Sequence, residues 1–258
     1  MSKIIKIFRL LKALTNPKKL SYLYEQQEPL ERKRALLHKD FLKDFEVYNK
    51  NADISKLAKT EFLYPCLYDK TETTELEPTY FYQDAWALES IIANKPFKHI
   101  DIGSHHKFVA HLSKIVDLTM VDIRPLSLPM ESIKFIEGSI LELPFERNSI
   151  ESLSSICVVE HIGLGRYGDP IDPDGSEKAF KEIDRVLKID GNFYFSVPVE
   201  IQNKIYFNAH RAFSESYLFE KLLTNYKIID KKYIYGNEYT NEFKNQFGTG
   251  CYHLRKIK

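Results

Sequence analysis

His161 and His210 are the residues of this chain best suited to move a proton near neutrality, because an unperturbed imidazole titrates at about 6.5. Around His161 the apolar pattern stops. Residues 160–175 contain four glycines and two prolines, a composition that imposes a defined but irregular path. Loops of this kind at the carboxyl end of a parallel strand are where ligands bind. Arg166 in the loop, Arg211 beside His210 and Arg124 upstream each carry a planar guanidinium fork that suits a phosphate or carboxylate. Tyr167 and Asp169 add polar contacts for the same bound molecule. Asp169, Asp172 and Asp174 are too closely spaced and too interrupted by Pro170 and Pro173 for a calcium loop, so no protein-bound metal is expected. The chemistry open to this set is removal of a proton from a polar acceptor held through an anionic group.

The elements that must position these residues follow from short apolar runs alternating with helix-like segments. Lys98–Ile102 is a buried-strand pattern that stops at Gly103, after which Phe108, Leu112 and Ile115 recur at helical spacing. Residues 118–123, 133–136 and 150–159 read as three more strands. A helix over 176–188, a turn at Asp190-Gly191 and a strand over 192–199 complete the pattern, which is that of a parallel α/β sheet. A strand ending in glycine, a helix, and a second strand ending in Asp122 nineteen residues on describe a nucleoside pocket. The glycine admits close approach to backbone, the helix start offers N–H groups, and the carboxylate accepts ribose hydroxyls.

At 258 residues the chain fits one α/β domain with an additional segment. Its 37 basic and 36 acidic residues leave a net charge of +1, which argues against general nucleic-acid binding. Cys66, Cys157 and Cys251 are odd in number and lack metal-ligand spacing, as suits a reducing cytoplasm. No apolar run approaches the roughly 20 residues of a membrane span, and Lys6, Arg9 and Lys12 interrupt what would be a signal-peptide core. Ile4, Ile7, Phe8, Leu11 and Leu14 share one face of a basic helix over 3–14, which either packs on protein or lies on an anionic membrane surface. Asn16-Pro17 ends that helix, Pro29 starts a longer one, and residues 53–78 read as irregular. The division expected is a helical extension and cover over 1–78 and an α/β domain over 79–258. A helix bearing Phe81, Trp86, Leu88, Ile91 and Ile92 opens the domain; a capped helix over 214–223 and strands over 227–235 and 249–257 close it.

Asp101-Ile102-Gly103-Ser104, the run Gly138-Ser139-Ile140-Leu141-Glu142-Leu143-Pro144-Phe145, the loop opening Val159-Glu160-His161-Ile162-Gly163, Arg185-Val186-Leu187-Lys188 before Gly191, and Asn208-Ala209-His210-Arg211 together carry a resemblance. The chain resembles the class I S-adenosylmethionine-dependent methyltransferases, and within them the DUF268 family, from about Thr79 onward. The resemblance implies a Rossmann-like, mostly parallel sheet with an antiparallel C-terminal strand pair. It implies S-adenosylmethionine as cofactor, bound by Asp101, Gly103, Ser104, Asp122, Ile123, Ser139, Ile140 and Glu160. His161 and His210 are then the catalytic candidates, and Arg166, Tyr167, Asp169 and Arg211 the acceptor-binding ones. Ser104, His105 and His106 stand where the family pattern has further glycines, and Ser139 where it has an acid for the adenine amino group. The expected reaction is O-methylation of a small polar acceptor, a sugar or a nucleotide-activated or phosphorylated intermediate of capsule or lipopolysaccharide synthesis. The alternatives are a non-catalytic nucleotide-binding or scaffolding protein on a degenerate methyltransferase fold, and an NAD-dependent oxidoreductase. The expected setting is cytoplasmic, with contact at the inner face of the membrane through the basic helix, no nucleic-acid partner, and an oligomer left open.

Overall fold

The computed structural model describes residues 17–258, with side-chain environments from Pro29 onward. The basic helix expected over 3–14 lies outside the described residues. By internal contacts the chain divides into residues up to Glu75 and residues from Leu76. In the first unit one helix, α1, is described over Pro17–Asn51. Pro29 lies inside this helix rather than at its start. Its ring removes a single helix hydrogen bond, too little to end a 35-residue helix. Leu37, Phe41 and Phe45 are half-buried along one stripe and their helical neighbours are exposed. Two short 3-10 turns follow, and Asn49 receives the returning chain by bonding both the N–H and the carbonyl of Ala58.

The second unit opens with α2 (Pro78–Asn94), capped by the Glu77 side chain on the Tyr80 N–H at 2.7 Å. Then come β1 (Lys98–Ile102), α3 (His106–Leu112), β2 (Asp117–Asp122), β3 (Ile133–Glu137), β4 (Ile150–Ile156) and α4 (Gly175–Val186). After these run β5 (Leu187–Val199), a hairpin of β6 (Lys204–Tyr206) and β7 (His210–Ala212), and β8 (Tyr226–Tyr235), β9 (Glu238–Thr240) and β10 (Gly248–Lys256). The main sheet has the order β3-β2-β1-β4-β5-β10-β8-β9. Pairings from β3 to β5 are parallel, and β10 runs antiparallel between β5 and β8. This is the Rossmann-like architecture with an antiparallel end that the sequence led us to expect.

Alternation along the strands divides the core between the two sheet faces. On β5, Phe193, Phe195 and Val197 face one layer with Phe180 and Ile183 of α4, while Tyr194 faces the other with Trp86, Ile91, Phe108 and Leu112. Trp86 also donates its indole N–H to Asp230 on β8 at 2.8 Å, which fixes α2 against the sheet.

Several boundaries differ from the sequence reading. The Asp190-Gly191 turn lies within β5, where Leu187 pairs with Ile150 and Asn192 with Ser152, so three more residues stand on β5 than on β4 in that interval. Asp190 takes φ +63° there, and the expected turn becomes a bulge that preserves strand pairing on both sides. β4 ends at Ile156 rather than continuing to 159, because Cys157 turns left-handed at φ +51° and Val159–His161 form a 3-10 turn. α3 ends at Leu112, leaving Ile115 exposed. The helix expected over 214–223 is one short α segment, Glu215–Tyr217, continued as a π-helical turn, Leu218–Leu222. Its expected cap is present, with the Ser214 hydroxyl accepting from the Tyr217 N–H.

Candidate active site at the carboxyl edge of the sheet

The parallel register aligns the ends of β1, β2 and β3. Gly103 donates its N–H to Val121 at 2.9 Å, and Gly138 donates to the Asp122 carbonyl at 3.0 Å. Gly103 has φ +65°, and a Cβ placed on it would lie 3.1 Å from a Val158 methyl and 3.6 Å from Asp122 Oδ2. Glycine keeps that narrow space between the β1 end and the Asp122 carboxylate free of a side chain. Asp122 Oδ1 accepts the Arg124 N–H at 2.9 Å. On the outer side of the row Ile123 is partly exposed, Ser139 Oγ accepts the Leu141 N–H at 3.1 Å, and Ile140 is buried.

Asp101 and Ser104 shape this gap from beneath. The Asp101 carboxylate is fully buried and accepts the Ser104 N–H at 3.1 Å, the Ser104 hydroxyl at 2.6 Å and the Ser154 hydroxyl at 2.5 Å. Since Ser154 gives its proton to Asp101, it accepts from His99 Nε2, and His99 Nδ1 in turn accepts from Ser152. Burial keeps His99 neutral, lowering it to about 3, and pushes Asp101 up to about 6 against the Ser104 and Ser154 bonds that stabilise its anion. Between about pH 4 and 6 the folded protein therefore holds a proton on Asp101 that the unfolded chain releases, and the Asp101 contribution to unfolding free energy falls as pH rises. Asp84, raised to about 6 by burial, acts in the same sense. The buried histidines, His99 and His161 among them, act in the opposite sense, so the Asp101 contribution is read from urea unfolding as the difference between wild type and Asp101→Asn, which should decline from pH 4 to 6; a constant difference would assign the proton elsewhere.

The loop after β4 is locked by its own groups. Gly163, Gly165 and Gly168 all have positive φ, and a Cβ on Gly163 would overlap the Asp172 carbonyl at 2.0 Å. Asp169 accepts the N–H of Gly163 at 2.7 Å, of Gly165 at 3.4 Å and of Tyr167 at 3.3 Å. Arg211 is buried, and its guanidinium donates to the carbonyls of Ile162, Asp172 and Pro173 and to the Ser176 hydroxyl. In this structure Asp169 and Arg211 are thus occupied in building the loop. Tyr167 remains accessible, with Arg124 4.4 Å and Arg166 5.1 Å from its ring centroid. These cation–π contacts tie the loop to the end of β2.

Glu160 and His161 lie at the first turn of the loop. His161 Nδ1 is 2.6 Å from the Ala209 carbonyl, which also accepts from Arg166 at 2.8 Å. A carbonyl only accepts, so Nδ1 carries the proton and Nε2 presents its lone pair, 3.7 Å from Glu160 Oε1. Burial, with Arg166 and His210 nearby, lowers His161 to about 4 although the Ala209 bond opposes this. His161 is thus a neutral hydrogen-bond acceptor at physiological pH. Glu160 is 1 % exposed, and burial pushes it up to about 8. His210 sits against the rings of Tyr206 and Phe247 with Nε2 buried and unpartnered, and burial lowers it as well.

The sequence reading missed Tyr80. It stands in the first turn of α2, its ring 4.8 Å from that of His105, and burial together with Cys157, Tyr167 and Glu160 raises its pKa. No motif marks it, because α2 meets the site only through the tertiary fold.

Residues 128–247 match the model of a family described as Caenorhabditis protein of unknown function, DUF268. The match spans the post-β4 loop and the His210 segment and begins downstream of Gly103 and Asp122. No curated protein matches the chain. Among solved structures, the 1,6-didemethyltoxoflavin-N1-methyltransferase of Burkholderia thailandensis is 17% identical, with 73% of this chain and 94% of that one covered and a TM-score of 0.51. The N-methyltransferase NodS of Bradyrhizobium japonicum is 12% identical over 70% of this chain and 89% of its own, TM-score 0.51. The [4+2]-cyclase SpnF is 12% identical over 67% and 80%, TM-score 0.51. The chain therefore has the fold of the class I S-adenosylmethionine-dependent methyltransferases, a fold that also serves a cyclase.

Proposed function

We propose that this protein is an S-adenosylmethionine-dependent methyltransferase acting on a small polar acceptor. The observation that carries this reading is the left-handed Gly103 turn at the end of β1, which sets its backbone beside the Asp122 carboxylate on the adjacent strand end with no side chain of its own between them. The residues present fit the cofactor: Asp122 for the ribose, the backbone after β3 with Ile140 for adenine, and the Gly103-Ser104 turn for the amino-acid end. When bound, the cofactor supplies an electrophilic methyl group. The protein's part is positioning, which accounts for much of the rate in such transfers. In this reading His161 Nε2 accepts a hydrogen bond from the acceptor and orients it, and Arg124 and Arg166, beside Tyr167, attract an anionic group on it. An oxygen acceptor on a sugar or a nucleotide-linked or phosphorylated surface-polysaccharide intermediate is the class to test first.

Calorimetric titration with S-adenosylhomocysteine and with NAD tests the reading. Saturable binding of the first without the second is expected; NAD binding alone would favour an oxidoreductase, and neither would favour a scaffold.

No helix among the described residues is long and apolar enough to cross a membrane. For the basic segment 3–14 we propose a peripheral role on anionic lipid. The full chain should sediment with anionic vesicles at low salt and a chain starting at Ser21 should not; equal sedimentation would remove the segment from membrane contact.

A further inference from the structure

Among the described residues several buried polar atoms lack a hydrogen-bond partner, and in the candidate site these are His105 Nδ1, His210 Nε2 and a carboxyl oxygen of Glu160. Glu160 is 1 % exposed, yet its Oε2 makes no hydrogen bond. Its Oε1 lies 3.7 Å from His161 Nε2, beyond hydrogen-bond range. A fully desolvated carboxyl oxygen without a donor is costly, and folded proteins retain such groups chiefly where a ligand or water completes them. The main chain here is firmly set: Val159 accepts the Ser176 hydroxyl at 2.7 Å, and the His161 N–H donates to Val158 at 3.0 Å. Glu160 is therefore held two residues beyond Val158, the residue that bounds the Gly103 gap.

We propose that Glu160 is the group that receives the acceptor's proton, with Oε2 facing the position from which the methyl group is transferred. This rests on the methyltransferase reading above and gives the base a different identity from the two histidines. In the step, an acceptor oxygen forms a bond to the methyl carbon as the carbon–sulfur bond breaks with its electron pair remaining on sulfur. The O–H proton passes to Oε2 of the ionised fraction of Glu160, converting carboxylate to carboxylic acid, which is the resting form near pH 7. His161 is poorly suited to this role because its Nδ1–H is committed to Ala209 and its basicity is lowered to about 4. Glu160 has the opposite bias. Burial raises it to about 8, while Cys157 and Arg166 oppose the rise, and Tyr80 on α2 faces the same charge. A base poised near neutrality is well matched to proton transfer from a polar acceptor.

The test needs no acceptor. Sinefungin carries an amine-bearing carbon in place of the methylated sulfonium, so its ammonium occupies the position of the transferred methyl group. Opposite Glu160 it should bind about tenfold or more tightly than S-adenosylhomocysteine, the range expected of a charge-assisted hydrogen bond. Because free Glu160 holds a proton at pH 7 and must release it to face an ammonium, sinefungin binding should release about one proton while S-adenosylhomocysteine binding releases none. Calorimetry in two buffers of different ionisation heat reads both quantities on the wild-type chain. In Glu160→Gln the sinefungin advantage over S-adenosylhomocysteine and the proton release should vanish. If both ligands bind the wild type equally and no proton is released, Glu160 is not the base and the cofactor reading stands. If neither binds at any pH, the cofactor reading itself falls and the proposal with it.

Discussion

Asp122→Ala should weaken S-adenosylhomocysteine binding by about 1 to 3 kcal/mol, roughly fivefold to a hundredfold, while leaving the fold intact. The carboxylate ends β2 and is largely sheltered, and its Oδ2 lies 3.6 Å from the position that a Cβ on Gly103 would occupy. A ligand lying over the Gly103 turn would meet the carboxylate directly. In the proposed site its removal would leave the ribose hydroxyls without a charged acceptor. Asp122→Asn should lose less, since the amide oxygen still accepts one hydrogen bond. Calorimetry on folded variants measures both, and unchanged affinity in Asp122→Ala would take the residue out of the site.

Arg211→Met should cost about 3 to 5 kcal/mol of stability, at the upper end for single substitutions. The side chain is 5 % exposed, and its guanidinium joins Ile162 at one end of the post-β4 loop to Asp172 and Pro173 at the other. Methionine fills the space but takes the Arg211 donor from the carbonyls of Ile162 and Pro173, while Asp172 keeps the Gly175 N–H; each sheltered carbonyl left unpaired costs about 1 to 3 kcal/mol. Arg211→Lys should recover only part of the loss, because one ammonium cannot span acceptors that a planar fork reaches on both nitrogens. Urea unfolding provides the measurement. A loss below about 1 kcal/mol in Arg211→Met would show that the loop is held by Asp169 and its glycines alone.

Both results bear on roles that residue types suggest ambiguously. Asp169 in the polar loop and Arg211 on β7 carry the chemistry of ligand grips, yet here their hydrogen-bonding capacity is directed at the loop's own backbone. Arg166 is similarly engaged with the Ala209 carbonyl, but its guanidinium also remains beside the accessible Tyr167 ring. The substitution that alters stability and the one that alters affinity can thus lie in the same motif. Reading them apart requires both measurements.

What the amino-acid order determined by itself was the skeleton: strands alternating with helices, Gly103 and Asp122 at successive strand ends, and an irregular loop after the fourth strand. These are local properties, set by apolar periodicity, by the conformational freedom of glycine and by the spacing of one acid from one glycine. Tertiary structure decided everything that depends on residues distant in sequence. The protonated nitrogen of His161 is chosen by the carbonyl of Ala209, which the β6–β7 hairpin brings back to it. Arg211 points into the loop because β7 passes beneath residues 162–176, and Tyr80 enters the site because α2 packs on the sheet. The elevated proton affinity of Glu160 has the same origin. A glutamate's intrinsic acidity is fixed by its chemistry, but its desolvation is imposed only when the surrounding elements close over it.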